Sequence, residues 1–109
     1  NVESMEPTLM YPAIDDGEVD AITAYTTDAR VDSFNLRIIE DDKAAFPVYE
    51  AIVILNENYE NASNIKQVLN VLNNLISTET MRQLNYQYDV EKVDAGTIAQ
   101  NFLESENIL

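Results

Sequence analysis

The run Tyr25-Thr26-Thr27-Asp28-Ala29-Arg30 places an aromatic ring, two hydroxyls, a carboxylate and a guanidinium within a few residues of one another. An aromatic face can hold a cation, and hydroxyl and carboxylate groups can hydrogen-bond a polar ligand. Val19 to Ala24, just upstream, is largely apolar and β-branched and reads as a short strand that stops at Tyr25. In α/β proteins ligands bind at the carboxyl ends of strands, so the group reads as part of a binding site. The same residues also suit a plainer role, with Tyr25 packed on a neighbour and the Thr-Asp pair capping a turn.

Composition removes most other chemistry. Cysteine is absent, which excludes disulfides, thiol nucleophiles and thiolate metal sites. Histidine is absent too, which excludes Ser-His-Asp triads and the commonest general base and metal ligand. The acidic groups Asp15-Asp16 and Glu40-Asp41-Asp42 lack the alternating spacing around a glycine that a calcium loop needs, so no metal is expected. Neither group is flanked by the apolar residues that would raise a carboxyl pKa for acid–base work, so no enzyme is expected. Gly17 and Gly96 are the two glycines, too few for a phosphate-cradling loop. No cofactor is therefore anticipated. With 20 acidic residues against 6 basic ones and a net charge of -14, the chain cannot neutralise nucleic-acid phosphates and is repelled by anionic membranes. A cationic small ligand remains compatible.

The elements that must position these groups follow from periodicity. The chain of 109 residues, 46% hydrophobic, supports one folded domain at most. Pro7 suits the first turn of a helix carrying Leu9, Met10, Ala13 and Ile14, with Pro12 awkward inside it and Gly17 a natural stop. Strands are expected over residues 18–25, 36–40 and 48–55, the last holding the apolar run Ile52-Val53-Ile54-Leu55. Thr26 to Asp32 forms a turn or crossover. Three helices follow. The first is capped by Asn61 or Ser63, with Ile65, Val68, Leu69, Leu72, Leu75 and Ile76 inward. The second starts at Ser77-Thr78, with Met81, Leu84 and Tyr88 inward. The third is capped by Asp94, with Val93 and Ile98 placed as a hydrophobic staple. A complete two-layer domain usually holds more strands, so the order reads as the back part of something larger. No apolar run approaches a membrane span, and no signal peptide opens the chain.

Met5-Glu6-Pro7-Thr8-Leu9-Met10-Tyr11, Gly17-Glu18-Val19-Asp20-Ala21 and Ala24-Tyr25-Thr26-Thr27-Asp28-Ala29-Arg30 together resemble the substrate-binding proteins of osmoprotectant ABC transporters. The likeness continues through Leu36 to Asp42, Phe46-Pro47-Val48-Tyr49 and Met81-Arg82-Gln83-Leu84-Asn85-Tyr86 to the terminal helix. These proteins bind glycine betaine, carnitine and choline, and are more than twice this length. The resemblance implies an α/β, periplasmic-binding-protein-like type II fold, present as a C-terminal fragment. Residues 1–30 would end the second lobe, and 31–109 would form a crossover and the C-terminal part of the first. The crossover Thr26 to Ser33 would serve as a hinge strand.

The resemblance also implies a ligand site. A trimethylammonium group has charge but no N–H donor, so aromatic faces arranged as a box select it. By motif match Tyr25 and Tyr49 supply two walls, and Pro47 stiffens the approach to Tyr49. Thr27 and Asp28 would position Tyr25, bond a ligand hydroxyl or the opposite lobe, or cap the loop. Tyr11, Tyr59, Tyr86 and Tyr88 would be core or surface residues. The implied partners are a quaternary ammonium small molecule and an ABC transporter permease. The implied location is extracytoplasmic, through a lipid anchor or fusion to the permease. The fragment alone would bind ligand weakly and form a homodimer or swapped oligomer through unpaired strand edges. Two other readings stand beside this one: an effector-sensing domain of a transcriptional regulator with a similar fold, and an acidic interaction module without a small ligand.

Overall fold

The computed structural model describes residues 2–47 and 49–109. They form five α-helices: α1 (Pro7–Asp15), α2 (Arg30–Ser33), α3 (Ala62–Leu69), α4 (Thr78–Asp89) and α5 (Ala95–Ser105). A 3₁₀ turn, Asn70–Leu72, extends α3. The chain divides into two compact units. One comprises the residues up to Ile38 together with Thr78–Leu109; the other is Ile39–Ser77.

Local chemistry sets the helix limits. Pro7 occupies the first position of α1, where its missing N–H has no partner to lose. The helix runs through Pro12 to Asp15. Pro12 withholds the N–H that would meet the Thr8 carbonyl, and Thr8 is exposed, so solvent can serve that oxygen. At the far end Gly17 turns left-handed at φ 73°. Its N–H donates to the Ile14 carbonyl at 3.2 Å, and the Glu18 N–H donates to the Ala13 carbonyl at 2.8 Å. This pair of bonds is a Schellman motif. Asparagine makes the same ending twice more. Asn35 (φ 50°) closes α2, with Leu36 N–H donating to the Val31 carbonyl at 2.8 Å. Asn107 (φ 57°) closes α5, with Ile108 N–H donating to the Leu103 carbonyl at 2.9 Å. Asp94 caps α5 as expected, its carboxylate accepting from the Thr97 N–H at 3.0 Å. Asn61 holds the cap position of α3 without a side-chain bond.

The enclosed centre of the first unit holds Tyr11, Ala13, Ala29, Val31 and Ile98. On α1 the expected stripe holds at Ala13, which is buried, and at Met10 and Ile14, which are half-buried. Leu9 is exposed, and Tyr11 takes the inward place because its ring packs against Arg30 and Phe34. Val68 and Tyr88, expected inward on α3 and α4, are also exposed. Met81 and Leu84 are half-buried.

The expected strands are not formed among the described residues; Val48, the first residue of the third, lies outside them. A strand is held by ladder bonds to a neighbour, and none of these three segments pairs with another. Ile54, in the middle of the strongest apolar run, is 85% exposed. The crossover from Thr26 is likewise not a strand; it is a turn followed by the single turn of α2.

Candidate functional site

Tyr25 opens a tight turn whose Asp28 N–H donates to the Tyr25 carbonyl at 3.0 Å. The Tyr25 side chain is 61% exposed at the edge of this turn. Asp28 then starts α2. Its Oδ1 accepts from the backbone N–H of Arg30 at 2.9 Å, a local bond of the kind Asp makes at turns and helix starts. The Arg30 side chain completes a fork, with Nε donating to Oδ1 at 3.0 Å and Nη2 to Oδ2 at 2.7 Å. The Asp28 side chain is 16% exposed. The paired guanidinium holds its carboxyl below the usual carboxylate range, against the opposing effect of burial. The same bonds raise Arg30 further above its ordinary value. The reading of Asp28 as a turn cap describes what this carboxylate does here.

The Arg30 guanidinium also lies over the Tyr11 ring, 4.2 Å from its centre. At this distance a cation–π contact contributes about 1 kcal/mol. The Phe34 ring stands 5.7 Å from Tyr11 at a 38° tilt. The Tyr11 hydroxyl is enclosed beside Asp28 and meets no acceptor among the described residues at full hydrogen-bond geometry. Burial, followed by the hydrogen-bonding pull and charge of Asp28, pushes the phenol up to about 12. Tyr11 is thus a packed helix residue, as its surroundings in the sequence suggested.

The turn is also held from α4. Arg82 Nη1 donates to the Thr26 carbonyl at 3.1 Å, and Arg82 Nε donates to both Asp32 oxygens at 3.1 and 3.0 Å. Asn85 Nδ2 donates to the Thr27 carbonyl at 2.8 Å. The segment from Thr26 to Asp32 is therefore tied at its start, through its middle and at its end. Local sequence pattern does not mark Arg82 and Asn85 as partners of this turn. The only signal for them was their place in the Met81 to Tyr86 stretch of the family likeness.

Tyr49 belongs to the second unit and is 80% exposed. The approach to it is tied by Asp41, whose carboxylate accepts from the Ala45 N–H at 2.9 Å and the Phe46 N–H at 2.8 Å. Those two bonds, the Phe46 one foremost, hold the Asp41 carboxyl below its ordinary value. Tyr25, Thr27 and Asp28 come together in the first unit, and Tyr49 lies in the other. A cavity of about 300 Å³ opens between α4 and α5, lined by Gln83, Leu84, Gln87, Ile98 and Phe102 among others; the four expected site residues do not line it. No group of potential metal ligands occurs among the described residues.

The class of protein follows from a match over residues 1–105. The chain belongs to the family of substrate-binding domains of ABC-type glycine betaine transport systems, whose model matches residues 1–105. This is a family of binding components, with a periplasmic-binding-protein-like fold and no reaction of its own. Among curated relatives, the chain is 35% identical over 104 residues to the carnitine transport binding protein OpuCC of Listeria monocytogenes, covering 94% of this chain and 34% of that protein. It is 34% identical over 105 residues to the ergothioneine transport permease/ergothioneine binding protein EgtU of Helicobacter pylori, covering 95% of this chain and 19% of that one. It is 29% identical over 110 residues to a glycine-betaine-binding protein of Pseudomonas aeruginosa, covering 100% of this chain and 35% of that protein. The chain thus spans about a third of the length of the carnitine and glycine betaine relatives, and less of the EgtU protein.

Proposed function

We propose that this chain is part of the extracytoplasmic solute-binding component of an ABC importer, and that it captures a quaternary ammonium osmolyte for delivery to a permease. The observation that carries this reading is the family match over residues 1–105. The ligands printed in the names of the relatives narrow the substrate class. Carnitine, glycine betaine and ergothioneine each carry a trimethylammonium group and a carboxylate. In this reading the chain passes between two lobes near Arg30, with residues 1–30 closing one and 31–109 belonging to the other. Attachment to the membrane is by a lipid anchor or by fusion to the permease; no helix among the described residues is long and apolar enough to cross a membrane.

Tyr25 and Tyr49 supply aromatic faces for the trimethylammonium group. Their exposure supports this role, since a ring enclosed by its own fold has no face to offer. Thr27 and Asp28 shape the loop that presents Tyr25. Asp28 does so through its fork with Arg30, in which the two charges offset each other.

The test is calorimetric titration of the full-length protein with glycine betaine, carnitine and choline. Each cation–π wall is worth roughly 0.5–2 kcal/mol, so Tyr25→Ala and Tyr49→Ala should each weaken binding by about two- to thirtyfold. Tyr25→Phe and Tyr49→Phe should retain most of the affinity. Unchanged affinity in both alanine variants removes the tyrosine cage.

A further inference from the structure

We propose that Arg82 and Asn85 of α4 are positioning residues for ligand capture, fixing the backbone that carries Tyr25 so that its ring is set before the ligand arrives. This rests on the reading that Tyr25 contacts the ligand. The geometry is specific. The two carbonyls that follow Tyr25 in the chain, those of Thr26 and Thr27, each accept a side-chain donor from α4. Arg82 and Asn85 are three apart on a helix and so share one face of it. That face reaches back more than fifty residues in sequence to grip adjacent peptide units.

Arg82 does this with the planar fork that only arginine offers. One edge of the guanidinium holds the Asp32 carboxylate, and Nη1 holds the Thr26 carbonyl. A single group thereby fixes the separation between the start of the turn and the last part of α2. The Arg82 side chain is 17% exposed and the Asp32 carboxylate it holds 43%, so water competes for this ion pair and its strength lies in the paired geometry. A lysine ammonium lacks the flat fork and cannot reproduce this paired geometry. Asn85 adds a neutral donor at 2.8 Å in a partly buried position. Without these bonds, the backbone on the carboxyl side of Tyr25 would lose its two restraints from α4. Ligand binding would then have to order the loop, and ordering entropy lowers affinity.

The chain has no tryptophan. In the full-length protein, Tyr25→Trp adds one indole at the position in question, and its signal is read as the difference from the same protein without that substitution. In the native background, Arg82→Lys and Asn85→Ala are each expected to weaken glycine betaine binding by about tenfold, the factor that follows from losing one such hydrogen bond. In the Tyr25→Trp background, the same two substitutions are expected to lower indole anisotropy and increase acrylamide quenching, at a temperature where circular dichroism shows native helix content.

If the bonds merely dock α4, both variants lower Tm while affinity and indole anisotropy stay native in the folded protein; that result overturns the proposal. If Asn85→Ala does not fold, Asn85→Asp carries the test. It keeps the shape but turns an acceptor toward the Thr27 carbonyl, and native affinity in that variant also overturns the proposal. Tyr25→Ala separates this inference from the reading beneath it. If Tyr25→Ala binds normally, the ligand role of Tyr25 fails and the positioning role falls with it. If Tyr25→Ala loses binding while Arg82→Lys and Asn85→Ala bind normally, the positioning role alone fails.

Discussion

Tyr11→Phe tests the packing that anchors the first unit. The ring is 2% exposed and its phenol is raised from 10.0 to about 12. Below pH 10 the folded and unfolded chains both keep this proton, so the contribution of the neutral phenol is fully present. Between pH 10 and 12 the unfolded chain releases the proton and the folded chain does not. Stability therefore falls as pH rises through this window. Each unit is worth 1.36 kcal/mol, so the phenol should account for a loss of about 2 kcal/mol by pH 12. In Tyr11→Phe that share of the loss is absent. At pH 8 the variant should lie within about 1 kcal/mol of the native protein, because the deleted hydroxyl makes no well-formed bond while the ring contacts remain. Urea unfolding at pH 8, 10 and 11 gives the two stability curves. A difference absorbance titration at 295 nm, native minus variant, isolates the one phenol. Parallel stability curves from pH 8 to 11, with a difference titration centred at pH 10, would refute the enclosure of Tyr11 beside Asp28.

Three further substitutions address separate links. Asp28→Asn removes the charge from the fork with Arg30 and should cost about 1.5–3 kcal/mol at pH 7 by urea unfolding. Because the Asp28 carboxyl is held below its ordinary value, its contribution is present above that value and is lost as pH falls through the lower one. The acid limb of the native stability curve should therefore be steeper than that of the variant. Asp94→Ala removes the α5 cap and should cost about 1 kcal/mol, read as a lower urea midpoint with an unchanged slope. Gly17→Ala meets nothing within 4 Å of its new carbon but forces alanine into φ 73°, at a cost of about 1–2 kcal/mol in the same assay.

The helices were legible because their signals are local. Pro7, Gly17 and Asp94 act on their own backbone or on residues within a turn, and a 3.6-residue period needs no distant partner. The strands were not, because a strand signal states a preference that only a neighbour can fulfil. Ile52-Val53-Ile54 has the composition of a buried strand and stays exposed without a ladder. The candidate site divides the same way. Tyr25, Thr27 and Asp28 stand together in sequence and together in the turn. Arg82 and Asn85 act on that turn from more than fifty residues away, and a polar helix face carrying Arg and Asn looks in sequence like one that meets only water. The burial of Tyr11 on α1 also depended on a distant residue, since Arg30 covers the ring.

The bonds from α4 to the Thr26–Asp32 segment also bear on the order of folding. α4 and α5 are adjacent in the chain, and the hydrogen bonds within each helix are local, so both can form early. The turn that carries Tyr25 waits for a loop of some fifty residues to close, an entropic cost that local structure does not share. During synthesis the Tyr25 segment leaves the ribosome before α4 and gains its restraints from that helix last, after its own local bonds. In this chain the proposed capture element is completed by the arrival of the C-terminal helices.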